Sequence, residues 1–216
     1  MNKNYKILLM LFIFFITAGL AQAETYTSGD FNYEVDRTNG TLTVTGMTST
    51  AKSTASRNFL LNGVTYSLSL PDALFVDGLG TPAFAVTEVA DNAFSNLPFL
   101  GSVTLHSAIT RVGVGAFSNN TSLTTVVTKA DFIESDAFAN CSNLSDLDLD
   151  EGTGYLEEGA FENCTSLLYV GIPLTLRGMN APNVFAGCTN LKRFAVSFDH
   201  TVYSQVDGIL SLLMFL

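Results

Sequence analysis

Tryptophan is absent from the 216 residues, cysteine occurs three times, histidine twice, and only 14% of the side chains carry a charge. Ten Lys and Arg stand against twenty Asp and Glu. Nucleic-acid binding is built on Lys and Arg contacts to phosphate, so this balance excludes that class. Secreted domains stapled by disulfides carry an even and dense set of cysteines, which Cys141, Cys164 and Cys188 do not supply. A structural zinc site needs about four converging Cys or His ligands, and His106 and His200 fall in other parts of the chain. No long apolar run exists either. Ile7 to Leu20 is interrupted by Thr17 and Gly19 and is 14 residues long, whereas a bilayer span needs about 20.

That short run fits a secretory signal peptide, residues 1–23. Lys3 and Lys6 precede the apolar stretch Ile7 to Ile16, and the small-x-small site Ala21-Gln22-Ala23 follows it. Cleavage there leaves 8 basic and 20 acidic side chains, so the formal charge moves from −10 to −12. No cysteine follows Ala23, which argues against an acylated start. The expectation is an exported chain, periplasmic, released or at the cell surface, with no membrane span after cleavage.

A phenylalanine recurs at 94, 117, 138, 161 and 185, behind Ala in the first four cases and behind Val184 in the last. The spacings of 23, 21, 23 and 24 residues mark a solenoid. Six residues after each stands a leucine: Leu100, Leu123, Leu144, Leu167 and Leu191. Five residues before the first four comes an aliphatic residue (Val89, Val112, Ile133, Leu156), which Asn180 breaks in the fifth unit. Nine residues after comes Val103, Val126, Leu147, Val170 or Phe194. Within a unit, Leu144 to Asp150 alternates apolar and polar and predicts a half-buried strand. Ala137 to Leu144 predicts a short helical or 3₁₀ turn. One such unit cannot bury its own apolar face, but stacked units share a core. The fold class is thus a β-rich solenoid with a short helical or 3₁₀ turn in each repeat of about 23 residues.

Residues 24–81 read as an N-terminal cap with entry strands, because Phe31 to Val35 and Leu42 to Val44 flank Asn39-Gly40, a hairpin signal. Met47 to Ser56 reads as a Ser/Thr/Ala-rich loop, and Asn62-Gly63 as a second hairpin turn. The solenoid proper, with about five repeats, spans 82–208, from a boundary near Pro82. Residues 209–216 read as an abnormal apolar tail, the reverse of the polar cap a solenoid end carries, and suggest a truncated or frameshifted product.

The unit V/I-x-x-x-A-F-x-x-C-x-x-L-x-x-V-x-L, for example Ile133 to Leu149, resembles the BspA-type leucine-rich repeat over about residues 60–208. The resemblance implies exported bacterial surface or secreted proteins, adhesin-like, contacting host matrix proteins or other cells. It brings no catalytic residue and no cofactor.

Read residue by residue, the cysteines occupy the position of Leu97 and Asn120 in the first two units, so they are expected as free thiols packed in a column. A cysteine or serine nucleophile needs a base at hydrogen-bond range, and His106 is placed on the outward side of a strand, so no catalytic site is expected. Asp146, Asp148, Asp150 and Glu157 match positions 1, 3, 5 and 12 of a calcium loop, but Glu151 stands where that loop needs glycine. They are weak metal candidates only, and no cofactor is expected. Six N-x-S/T sites, at Asn39, Asn119, Asn120, Asn140, Asn143 and Asn163, read as turn chemistry. The partner-binding face is expected at strand positions two, four and six after each repeat leucine, carrying Thr104, His106, Thr125, Lys129, Asp146, Asp148, Asp150, Tyr169 and Arg193. Its expected partner is an extracellular protein. The alternatives are a glycan-binding accessory protein, against which the missing tryptophan counts, and a structural spacer or gene remnant without its own ligand.

Overall fold

The computed structural model describes residues 24–74, 83–179, 183–197, 199–206 and 209–212, with backbone alone for 204–206 and 209–212. The signal-peptide segment, the boundary at Pro82, Asn180 and the last four residues lie outside these. The chain begins with an antiparallel meander: β1 (Glu24–Ser28), β2 (Phe31–Asp36) and β3 (Thr41–Met47). The hairpin expected around Asn39-Gly40 is there. The Asp36 carboxylate accepts the Thr38 and Asn39 amides at 2.8 and 3.1 Å, and Gly40 turns the chain at φ 67°.

Helix α1 (Ser49–Asn62) occupies the segment expected as a loop. The Thr48 hydroxyl caps its start by accepting the Ala51 amide at 3.2 Å. Gly63, in the left-handed region at φ 66°, closes its end with an N–H bond to Phe59 O. The Asn62-Gly63 pair therefore ends a helix instead of joining two strands. Both jobs need a left-handed residue, so the dipeptide alone does not separate them. Only Ala51 and Ala55 of α1 are buried, which leaves no apolar stripe to betray the helix in the sequence.

From here each turn contributes two strands. One parallel ladder runs from β3 through β6 (Phe84–Val89), β8 (Arg111–Val112), β10 (Phe132–Ile133) and β12 (Tyr155–Leu156) to β14 (Gly178–Met179). The short β5 (Ala73–Leu74) pairs antiparallel with β6. The second parallel sheet joins β4 (Tyr66–Ser69), β7 (Leu100–Thr104), β9 (Thr125–Thr128) and β11 (Asp146–Leu149). Its continuation, β13 (Tyr169–Ile172) with β15 (Arg193–Val196), forms a separate two-stranded ladder. The antiparallel pair β16 (Tyr203–Val206) and β17 (Ile209–Leu212) ends the described chain, so the first half of the expected apolar tail is a paired strand.

Between the two sheets the repeat phenylalanines stack face to face. Rings 94, 117, 138, 161 and 185 follow one another at 5.3, 5.0, 5.3 and 5.4 Å, tilted by no more than 9°. Phe31 from the meander and Phe194 from β15 close the column edge-on at its two ends. Over the segment Ala137 to Leu144, expected as a short helical or 3₁₀ turn, the backbone instead makes successive single turns that begin before Phe138, with i to i−3 bonds such as Ala137 N–H to Glu134 O, Ala139 N–H to Asp136 O and Leu144 N–H to Cys141 O. Left-handed residues break these turns before a helix can grow: Asn92, Asn96, Asn119, Asp136, Asn140 and Asn163 all have φ between 56° and 61°. The intervening amides then point along the solenoid axis. Phe94, Phe117, Phe138 and Phe161 each donate to a carbonyl one turn on, at 2.7 to 2.9 Å. Three ladders thus tie neighbouring turns together, two of strands and one of turns.

Candidate strand-face recognition surface

Register fixes which side chains line up on the outward side of the second sheet. Ser67, Ser102, Thr125 and Asp146 form one row across β4, β7, β9 and β11, and Ser69, Thr104, Val127 and Asp148 form the next. Leu68, Val103, Val126 and Leu147 lie between them and are buried. Because side chains alternate along a strand, the core row repeats and the outer rows are free to differ. On the separate pair, Tyr169 is matched with Arg193 and Gly171 with Ala195. The Arg193 guanidinium lies 4.7 Å from the Tyr169 ring centroid, and Tyr169 remains 47% exposed.

The rows end after two positions, not three, because each strand stops first. His106 lies beyond β7, only 16% exposed, with Nδ1 accepting the Ala108 amide and 3.1 Å from an Asp72 carboxylate oxygen. It is not the outward, solvated residue expected, and Pro173 at the equivalent position is buried. Lys129 and Asp150, at the same position in their units, reach across the turn and pair at 2.7 Å. The Lys129 hydrogen bond holds the Asp150 carboxyl below the usual carboxylate range, assisted by the Glu151 amide. Of the three aspartates expected on the partner-binding face, Asp146 and Asp148 are exposed on the outward side of β11. Glu157 follows β12 in the other sheet, so the calcium-loop residues are divided between two faces. No cluster of three or more Asp, Glu, His or Cys side chains converges among the described residues.

The cysteines are free and buried, as their column position implies, and they do more than fill space. Each thiol donates to the carbonyl of the phenylalanine one turn earlier: Cys141 to Phe117, Cys164 to Phe138 and Cys188 to Phe161, at 3.3, 3.3 and 3.1 Å. Asn120, at the same position and fully buried, donates to Phe94 O and Phe117 O and accepts the Leu97 amide. Burial pushes the Cys141 thiol up to about 12. Cys164 is raised as well, by the adjacent Cys188 thiol and by burial. Neither histidine is a partner of any cysteine. His200 is instead 2% exposed at the C-terminal end, with Nδ1 accepting the Val202 and Tyr203 amides and Nε2 3.0 Å from Pro173 O.

Residues 87–205 match the BspA type Leucine rich repeat region in six copies, one more than the five phenylalanine-centred units counted above. The chain belongs to the BspA-type leucine-rich repeat family. A leucine-rich repeat protein of T. pallidum superposes with a TM-score of 0.59 at 21% identity, covering 79% of this chain and 71% of that one. The pneumococcal vaccine antigen PcpA superposes at 0.51 and 18% identity, covering 88% and 54%. A leucine rich cell surface protein from Faecalibacterium prausnitzii, at 0.49 and 21% identity, covers 88% and 58%. This chain therefore spans less than two thirds of the last two. No curated protein matches it.

The opposite sheet of this BspA-type solenoid carries residues that the strand-face reading passed over. Phe132, 41% exposed, stacks on Tyr155 at 5.0 Å, and the Arg177 guanidinium covers the other side of Tyr155 at 4.8 Å. Arg111, in register with Phe132, bonds Glu134 and Asp91 at 2.8 and 2.9 Å, and Arg177 bonds Asp131. Strands β8, β10, β12 and β14 are two residues long, so this side-chain stack supplements a short backbone ladder. The sequence signal was available, since Arg111, Phe132 and Tyr155 all stand immediately before the early aliphatic residue of their units.

Proposed function

We propose that this is an exported, non-enzymatic interaction module that binds a macromolecular partner, an extracellular protein, through the outward rows of the second sheet. The observation that carries this reading is the contrast between the stacked turns. The phenylalanines and leucines beneath the sheet repeat in every unit, while the rows above them change from Ser and Thr to Asp, then to Tyr and Arg. A rigid scaffold with a variable face is what recognition requires, and Tyr and Arg are favoured at the centre of protein interfaces. Asp146 and Asp148 add an acidic patch, which favours a partner of basic character. Secretion by the residue 1–23 signal, a place at the cell surface and a host-matrix partner belong to the same proposal.

The test is a pull-down of the purified protein against immobilised matrix proteins, intact cells and polysaccharides, beside a variant carrying Tyr169→Ala and Arg193→Ala. The proposal expects capture by a protein or a cell surface, and at least tenfold weaker capture of the variant at an unchanged melting temperature. Capture by polysaccharide alone, or equal capture of both proteins, contradicts it.

A further inference from the structure

Beside the cap, where β4 begins, a cleft of about 230 Å³ opens between α1, the turn joining β1 to β2, and Tyr66, and none of its lining residues belongs to the outward rows. Its floor is apolar and small, made by the buried Ala51 and Ala55. One wall is a polar row, Thr50, Thr54 and Asn58, which falls on a single helix face because the spacing is four residues. None of these three side chains has a hydrogen-bond partner among the described residues. The opposite wall is Asp30 with Tyr66. The Tyr66 hydroxyl donates to Asp30 Oδ2 at 3.0 Å, which orients the carboxylate. Thr50, Thr54 and Asn58 are exposed, so their polar groups are available at the rim of the cleft.

We propose that this cleft binds a neutral pyranose, as the end unit of a glycan. A pyranose has apolar C–H faces and a rim of hydroxyls, matching an alanine floor between hydroxyl, amide and carboxylate walls. The volume lies below the roughly 300–1,000 Å³ of sites for drug-sized ligands, which limits the occupant to about one ring. The lining holds one carboxylate and no Lys, Arg or His, which rejects uronic and sialic acids and phosphorylated sugars. This site is separate from the strand face and does not depend on the protein-binding reading.

The experiment is an NMR titration of the ¹⁵N-labelled protein with the methyl glycosides of glucose, galactose, mannose and N-acetylglucosamine, with glucuronic acid as the charged control. At least one neutral glycoside at millimolar concentration is expected to shift the Thr50, Thr54 and Asn58 amides, and glucuronic acid is not. Asp30→Asn and Thr54→Val should each weaken that binding at least tenfold while leaving partner capture through the strand face unchanged. A trisaccharide ending in the same unit should give the same shifts. Silence of these amides with all four glycosides, equal binding of the acid, or undiminished binding by both variants overturns the site. Exclusion of the trisaccharide overturns its reading as a glycan-end site.

Discussion

Phe138 touches a ring on each side, at 5.0 and 5.3 Å, so its removal opens a gap that neither neighbouring turn can close alone. Phe138→Ala is expected to cost about 3 to 5 kcal/mol, read as a shift of the denaturant midpoint. A midpoint within error of the parent contradicts a continuous column. Asn120→Leu is the polar counterpart. It strands the Leu97 amide and the Phe94 carbonyl, while Phe117 O keeps the Cys141 thiol, and an unsatisfied buried group costs about 1 to 3 kcal/mol. The thiols add a pH dependence. Cys141 is held protonated to about 12 in the fold against an ordinary value of 9.0. Only the unfolded chain ionises between these values, so stability that is fully present below 9.0 falls as pH rises toward 12. Cys141→Ala should flatten that alkaline decline in an unfolding series. The recurring phenylalanine, leucine and cysteine positions were legible in the sequence. The thiol hydrogen bonds were not, because their acceptors are backbone carbonyls, which leave no residue-type trace.

At the scale of elements, the strands of the second sheet announced themselves through period-two alternation, whereas α1 did not. A helix with Ala51 and Ala55 as its buried residues has no apolar face to detect, and its Ser and Thr content reads equally as loop. Its ends carry the information instead. Thr48→Ala should cost about 1 kcal/mol by deleting the cap, and Gly63→Ala about 1 to 2 kcal/mol by forcing a side chain into the left-handed region. Circular dichroism at 222 nm should show both as lost helix, with the solenoid strands intact. Gly46 is a firmer constraint on how the cap meets the first turn. It adopts φ 141°, and a Cβ there would stand 2.7 Å from Ala93 O. The strand ends were overextended in the sequence reading for a simple reason. Alternation continues to His106 and Pro173, but β7 ends at Thr104 and β13 at Ile172, and beyond these ends both side chains are largely removed from solvent.

For the whole molecule, the winding of the solenoid divides the acidic residues between Asp131 and Glu162 over two faces. Asp131 and Glu134 meet Arg177 and Arg111 on the first sheet, while Asp146, Asp148 and Asp150 lie on or beside the second. With Asp150 paired to Lys129, Asp146 and Asp148 are the charges left to steer a basic partner. Converting both to Asn should slow association and flatten its salt dependence, since exposed charges act chiefly on the encounter rate. The melting temperature should not move. The central claim is that the outward side of the second sheet, not the aromatic and arginine stack on the first, makes the partner contact. The direct measurement compares the affinity of a captured partner for two variants of equal melting temperature, one carrying Asp148→Asn, Tyr169→Ala and Arg193→Ala, the other Phe132→Ser and Arg177→Ala. The account predicts at least a tenfold loss for the first and parental affinity for the second; the reverse pattern contradicts it.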